Sequence, residues 1–443
     1  MDILNKNEII PLFTVIIPVK NRGPYLYYTL KTCMIQEYEN FEVIVSDDAS
    51  TDNTQEVVNE AIKKDSRITY YRHNEGIGMR ENFEFALKMV KPGYVMALGG
   101  DDGLLPDGIN DINEIIQTTK LKLLTWAAPL YSYPNVTSTN GQLVLYRQKE
   151  KFKIIDSQEF LTRQSKNLHY LSDLENPMFY VKGVVSTELI NKVQKRTKDG
   201  RFYSCPTPDG YSGIVLAGEV SKFGFSGEPF SIYGMSPSSQ GLAYLSNSVK
   251  AKQDSENFYK NVVDRSMHEK LASQPYSPLI TLMTVDYLLT AKDLPGWEGV
   301  ISPINYKEVL KKSLNELKHG LYGEERIVRE LKILSNISKK HNLDTYFNDL
   351  VSKSRRYKGK APLKGNATNL QALYLEAKPL GVNNIIDAAY ASKILFKTQS
   401  QITLKSVAEM IFNSVKYRLR SRKKGDVFPS INVWKDFETC QSN

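Results

Sequence analysis

Cysteine is scarce. Only Cys33, Cys205 and Cys440 occur in 443 residues, odd in number and far apart. That excludes a disulfide framework and offers no ligand spacing for a zinc site. Long hydrophobic runs are missing too. The longest, such as Val15 to Ile17, Tyr94 to Leu98 and Leu279 to Met283, fall far short of the roughly 20 apolar residues that span a bilayer. Met1 to Lys6 lacks a signal-peptide pattern, so a cytosolic protein is the expectation. The five histidines, His73, His169, His268, His319 and His341, form no convincing ligand pair.

What is present describes a soluble globular chain of two or three domains, 41% hydrophobic and 24% charged. The net charge of +9 could address nucleic acid, an anionic membrane or an anionic substrate. Much of it lies late, in 353–364 and 416–424. No recognised module or aromatic-interleaved platform accompanies it, so nucleic acid is not the expected partner. Ser406 to Lys424 reads as a basic amphipathic helix, with Val407, Met410, Ile411, Val415 and Leu419 on one side. Such a helix suits an anionic membrane surface.

The first hundred residues alternate apolar β-rich runs with helical periodicity. Leu12 to Val19, Phe41 to Val45, Ile68 to Tyr71 and Tyr94 to Leu98 predict strands. Helices are predicted after Pro24, around Val57 to Ile62, and over Glu81 to Val90. That order argues for right-handed crossovers and a mainly parallel sheet, whose ligands sit at the strands' carboxyl ends. Leu121 to Ala127, Leu143 to Tyr146, Tyr180 to Val185, Lys222 to Phe225 and Phe230 to Tyr233 predict further, mixed strands. Ser236 to Gly241 is turn-rich and marks a domain boundary or loop. Beyond Ala251 amphipathic helices dominate, among them Phe258 to Leu271, Leu279 to Ala291, Tyr306 to His319, Glu324 to His341 and Ile385 to Thr398.

Three polar clusters end three of these strands: Val19-Lys20-Asn21, Asp47-Asp48 and Gly99-Gly100-Asp101-Asp102-Gly103. Two adjacent carboxylates raise each other's pKa unless a cation neutralises them, and a hard divalent ion with oxygen ligands is the natural partner. A surface turn explains Asp101-Asp102 in isolation; it does not explain three clusters on one sheet edge. Gly76 and Gly78 lack the third glycine of a dinucleotide fingerprint, which excludes an oxidoreductase reading.

Four segments, Thr14 to Arg22, Phe41 to Thr54, Asn74 to Asn82 and Gly100 to Pro106, resemble in order the nucleotide-binding half of the family 2 glycosyltransferases. The resemblance implies a GT-A fold: an α/β, mainly parallel nucleotide-binding sheet with helices on both faces, followed here by a mostly α-helical C-terminal region. It implies inverting transfer from a nucleotide-sugar donor, UDP-linked above all. Pro18, Val19, Asn21, Asp47, Asp48, Arg80 and Asp101 are the nucleotide-binding residues it implies, and Asp102 with Asp101 the ligands of Mg2+ or Mn2+. One common form of the motif has a further aspartate where Gly99 stands. The base it requires is assigned to Asp209, ahead of Glu219 and Asp199; helix capping is the competing explanation.

The domain division expected is 1–245, the transferase domain (1–120 for the nucleotide, 121–245 for the acceptor), and 246–443, the helical region. The expected function is a cytoplasmic, metal-dependent inverting glycosyltransferase of surface-polysaccharide synthesis. It would act on a glycan or lipid-linked saccharide acceptor, peripheral on the inner face of the membrane. A non-catalytic nucleotide- or glycan-binding scaffold of the same fold is the alternative. A nucleotidyltransferase would need a longer phosphate loop than Lys20 to Gly23. Homo-oligomerisation through the helical half is compatible with both main readings.

Overall fold

A computed structural model describes residues 10–239, 266–318, 322–357, 365–369, 371–398, 408–415 and 424–428. The chain runs β1 (Phe13–Val19), α1 (Gly23–Met34), β2 (Phe41–Asp47), α2 (Thr54–Ile62), β3 (Ile68–Arg72), α3 (Met79–Lys88) and β4 (Tyr94–Ala97). A short β5 (Gly103–Leu104) and α4 (Gly108–Thr119) follow. Strands β1 and β2 are buried on both faces, the pattern of a parallel sheet covered by helices. Strand order β3-β2-β1-β4 is parallel throughout.

The middle of the chain extends this sheet. It supplies β6 (Leu123–Trp126), β7 (Leu130–Ser132), β8 (Gln142–Tyr146), β9 (Phe152–Asp156), α5 (Ser157–Asn167), β10 (Gly183–Ser186), α6 (Thr187–Gln194), α7 (Pro208–Ala217), β11 (Lys222–Ser226) and β12 (Ser231–Met235). Strand β10 runs antiparallel between β4 and β6, and β11 and β9 complete eight strands. The expected α/β, GT-A-type sheet is thus present, parallel in its first half and mixed in its second.

Helices cover both faces. Val15, Ile17, Leu26, Leu30, Val58, Ile109 and Ile112 share one core, so α1, α2 and α4 lie on that side. Ile16, Phe83, Leu87, Phe160, Leu189 and Ile214 belong to the other, beneath α3 and α5 to α7. That second core continues into α8 (Ile280–Lys292), α9 (Tyr306–Lys318), α10 (Glu324–Lys340) and α11 (Asp344–Lys353) through Leu282, Leu288, Leu314, Leu331 and Phe347. Helix α8 is buried along nearly its whole length, consistent with its high apolar content.

A second sheet forms from distant pieces. Strands β13 (Arg355–Tyr357), β14 (Ala367–Thr368), β15 (Ala372–Glu376), helix α12 (Ile385–Thr398) and β16 (Lys424–Val427) are the remaining elements. The sheet order is β14-β15-β8-β7-β12-β5, with β13 and β16 paired separately. Ala372–Glu376 lies in the region where sequence periodicity predicts mostly helices and no strand; its alternation buries Leu373 and Leu375 against Leu143 and Leu145. The predicted helix over Phe258 to Leu271 lies outside the described residues up to 265, and Glu269–Leu271 is one 3-10 turn. The boundary at 245/246 also lies outside them, as do the flanks of the predicted helix over Ser406 to Lys424. Residues 408–415 are helical. There Met410 is buried against Ile385 and Ala388, whereas Ile411, Phe412 and Val415 are exposed, so the stripe divides between core and solvent.

Candidate nucleotide and metal site

The three polar strand ends meet. The Asp48 amide donates to the Val19 carbonyl (2.9 Å) at the end of β1 and β2, and the Lys20 ammonium donates to Asp48 Oδ2 (2.9 Å). A Cβ on Gly100 would touch Arg22 Cβ and Val19 Cγ1, so the acidic loop after β4 packs directly on the turn after β1. Asn21 sits at φ +53, a left-handed turn residue that Asn tolerates. Its amide donates to the Ser50 hydroxyl (2.8 Å), and its side chain accepts from the Thr51 amide (2.8 Å).

Asp47 and Asp48 are both buried, and neither acts as a helix cap. Asp47 accepts from the Ser50 amide (2.8 Å) and the Tyr70 hydroxyl (2.6 Å), with the Arg72 guanidinium 3.7 Å away. Besides Lys20, Asp48 receives the amides of Ile77 (2.5 Å) and Gly78 (3.3 Å). It therefore ties the Gly76–Gly78 loop to the sheet edge. Asp52 bonds the Thr54 and Gly23 amides, both at 3.0 Å, and so serves the starts of α1 and α2. Arg80, in the first turn of α3, pairs with Glu81 at 3.1 Å, and Glu81 also binds Arg201.

Asp101 and Asp102 are almost fully buried. Asp102 accepts from the backbone amides of Gly99 (2.7 Å) and Gly234 (2.8 Å). Gly234 must be glycine, because a Cβ there would overlap the Asp101 carbonyl oxygen. Asp101 accepts from the Ser236 hydroxyl (2.6 Å), the Ser239 hydroxyl (3.1 Å) and the Ser236 amide (3.3 Å). Helix α1 secures the loop from beneath: Thr29 donates to the Asp102 carbonyl (2.7 Å), and Thr32 accepts from the Leu104 amide (3.0 Å).

Burial, then the Asp101 charge, push the Asp102 carboxyl up to about 8. Among the described residues neither aspartate makes an ion pair, and no group of three metal-ligating side chains exists. Two adjacent buried carboxylates without a cation fit a hard divalent ion that takes its other ligands from a diphosphate and water.

Asp209 occupies the first turn of α7, while Thr207 is the N-cap position. Its Oδ2 accepts from the Tyr170 hydroxyl (2.9 Å), and Oδ1 is buried without a hydrogen-bond partner. Burial raises its carboxyl above the usual range. Burial, then the charges of Asp102 and Asp209, push the Tyr233 hydroxyl well above its usual range. The other two acids considered are engaged elsewhere. Glu219 is buried in ion pairs with Arg196 (2.6 Å) and Lys192 (3.0 Å), and exposed Asp199 pairs with Arg201 (3.0 Å).

Ser236, Ser239, Tyr170, Tyr180 and Tyr233 escaped sequence reasoning. Only the serines carried a signal, as part of a turn-rich segment, and it suggested a boundary rather than a site.

Comparison with known proteins bears on this geometry. The family model described as Glycosyl transferase family 2 matches residues 14–169. An uncharacterised glycosyltransferase of Haemophilus influenzae is 31% identical over 219 residues, 48% of this chain and 78% of that protein. The chain belongs to glycosyl transferase family 2. The relatives also include glycosyltransferase GlyG of Streptococcus pneumoniae serotype 4, 25% identical over 186 residues, 41% of this chain and 59% of GlyG. A third is the Escherichia coli UDP-Glc:alpha-D-GlcNAc-diphosphoundecaprenol beta-1,3-glucosyltransferase WfaP. It is 33% identical over 110 residues, 25% of this chain and 43% of WfaP. The chain therefore spans little more than half of GlyG and less than half of WfaP. Asp47, Asp48, Arg80, Asp101 and Asp102 all lie inside the matched segment, and Asp209 lies beyond it.

Proposed function

We propose that this family 2 member is a metal-dependent inverting glycosyltransferase, moving a sugar from a UDP-sugar to a glycan or lipid-linked saccharide in surface-polysaccharide synthesis. The observation that carries the reading is the buried Asp101-Asp102 pair, which makes no ion pair among the described residues, on the sheet edge that also carries Asp47 and Asp48. WfaP, whose name specifies a UDP-sugar donor and a diphosphoundecaprenol-linked acceptor, supports both choices of substrate.

The residues divide the work. Pro18, Val19 and Asn21 line the turn where the nucleoside approaches, and Asp47 and Asp48 present acceptor oxygens to base and ribose. Arg80 offers a guanidinium to the diphosphate. Asp102, with Asp101, would hold Mg2+ or Mn2+. Once bound, that ion supplies Lewis-acid stabilisation of the departing diphosphate. Asp209 takes the proton of the acceptor hydroxyl as that oxygen forms its bond to the sugar C1; the C1–O bond to the diphosphate breaks on the opposite face, which inverts the anomeric centre. A carboxylate raised by burial is a stronger base than one in water.

The chain works at the cytoplasmic membrane surface, held there by the exposed Ile411, Phe412 and Val415 and by the Lys and Arg residues of 416–424. Among the described residues no helix is long and apolar enough to cross a membrane.

The deciding experiment is a nucleotide-sugar panel followed by mass spectrometry, with Mn2+ or with EDTA. Metal-dependent donor consumption is expected with a UDP-sugar. UDP binding without turnover on any acceptor would favour a non-catalytic scaffold, and EDTA-resistant turnover would remove the metal from the reading.

A further inference from the structure

Helix α7, which carries Asp209, is held at both ends by the helical half of the chain. At its start Thr207 occupies the N-cap position, yet the threonine side chain caps no amide of its own helix, the usual task of that residue there. Its hydroxyl bonds instead to the phenols of Tyr276 (2.9 Å) and Tyr287, which also bond each other (3.2 Å). At the far end of α7 the Trp297 indole donates to the Val215 carbonyl (2.9 Å). The indole stands so close to Gly218 that a Cβ there would overlap it.

Helix α8 also reaches the hydrogen-bond partner of Asp209. Thr284 is fully buried; its hydroxyl accepts from the Tyr170 amide (3.1 Å) and donates to the Ile280 carbonyl (2.7 Å). The buried Tyr287 ring meets the Tyr170 ring edge to face, with centroids 5.5 Å apart. Gly210, next to Asp209, lies between these two rings, and a Cβ there would come 2.6 Å from each. Tyr170 is thus fixed at its backbone by Thr284 and along its ring by Tyr287, and its phenol ends on Asp209 Oδ2 (2.9 Å). Apolar side chains would serve packing alone. A buried set of hydroxyls is costly unless each finds a partner, and this set converges on one carboxylate and the turn that bears it.

We infer that Thr284 and Tyr287 of α8 are positioning residues for Asp209, acting through Tyr170, so that the helical half of the chain sets the base from behind. The inference rests on the assignment of Asp209 as that base. A base is effective only within hydrogen-bond reach of the proton it takes, and a small misplacement costs much of the rate. Besides Tyr170, the titratable groups facing Asp209 are the phenols of Tyr203, Tyr233 and Tyr287. Burial holds all of them well above their usual range, so none ionises where a carboxyl does.

Carbon-13 NMR of the full chain grown with carboxyl-labelled aspartate tests this without any turnover, the Asp209 resonance being the one missing from Asp209→Asn. In Thr284→Val, close in shape to threonine, and in Tyr287→Leu, the Asp209 titration midpoint should rise by about half a pH unit, part of what losing a hydrogen bond to a charged group brings. UDP affinity by calorimetry should stay unchanged. Thr284→Ser keeps the hydroxyl and should restore the wild-type midpoint. Gly210→Ala pushes the two rings apart and carries the same expectation as Tyr287→Leu if that variant does not fold. Adding Thr284→Val to Tyr170→Phe should move the midpoint no further than Tyr170→Phe alone, because both act through one phenol. A wild-type midpoint in Thr284→Val and Gly210→Ala, or shifts that add in the double variant, would overturn the inference. Wild-type turnover of a UDP-sugar by Asp209→Asn would instead overturn the base assignment on which it rests.

Discussion

Tyr170 donates a 2.9 Å hydrogen bond to one oxygen of Asp209 and leaves the other buried without a partner. The bonded oxygen is fixed, and the solvent-shielded Oδ1 is the one the proposed base reaction would use. Asp209→Asn should reduce transfer by about 10²- to 10⁴-fold, the range of general-base catalysis, with UDP affinity unchanged by calorimetry. The Tyr170 bond lowers the Asp209 pKa against the larger effect of burial. Tyr170→Phe should therefore move the acidic limb of the kcat/KM profile to higher pH. A limb that stays in place would separate Asp209 from the base role.

Asp102→Asn keeps the shape of the acidic loop and removes the charge. The folded carboxyl is pushed up to about 8, above its unfolded value of about 3.9. Its ionisation therefore costs stability as pH rises through that window, and stability is highest at the acid end. The metal-free wild type should show a thermal midpoint that falls between these limits more steeply than in Asp102→Asn. The stabilisation that Mn2+ with UDP confers on wild type should disappear in the variant.

Asp48 and Lys20 differ in consequence although they share one ion pair. Asp48 is buried and also accepts from two loop amides, whereas the Lys20 side chain is 48% exposed. Asp48→Ala should cost about 1–3 kcal/mol for the amides left unsatisfied and weaken UDP binding through the 76–78 loop. Lys20→Ala should cost no more than about 1 kcal/mol, as a half-exposed pair does. Denaturant unfolding of the two variants measures the difference.

Lys182 gives the opposite pH dependence. It is buried, donates to the Leu174 carbonyl (2.6 Å), and burial lowers its ammonium to about 7. Above that pH the unfolded chain binds the extra proton, so stability should rise between about 7 and 10. Lys182→Met should flatten this rise in urea unfolding followed across the range; an unchanged slope would assign it to other groups.

Phe412 is 66% exposed on the helix over 408–415. Phe412→Ser should reduce sedimentation with phosphatidylglycerol vesicles without changing the thermal midpoint, and salt should weaken the wild-type interaction by screening 416–424. Equal binding to neutral vesicles would argue against the basic cluster.

The parallel half of the sheet was legible because three of its four strands, β1, β2 and β4, are largely apolar runs. Val15 and Ile17 face one core and Ile16 the other, and that double burial is written as uninterrupted hydrophobicity. Asp47, Asp48, Asp101 and Asp102 were legible for a related reason: strand ends bring neighbouring carboxylates to one edge whatever follows in the chain. The second sheet was not. Ala372–Glu376 is a strand because Leu143 and Leu145 of a segment more than two hundred residues earlier bury its apolar side, and no local period reports that.

The order of strands and helices, the carboxylates at their ends and the glycine at position 99 are thus properties of the sequence itself, since they depend on local periodicity and residue chemistry. What occupies the space over Gly99 was decided by the tertiary structure. The Tyr180 hydroxyl arrives from a turn eighty residues away, and Ser236 and Ser239 arrive on Asp101 from beyond β12. Such contacts follow from how the mixed half of the fold packs on the parallel one, and the energy that fixes them lies in packing between segments that carry no shared pattern.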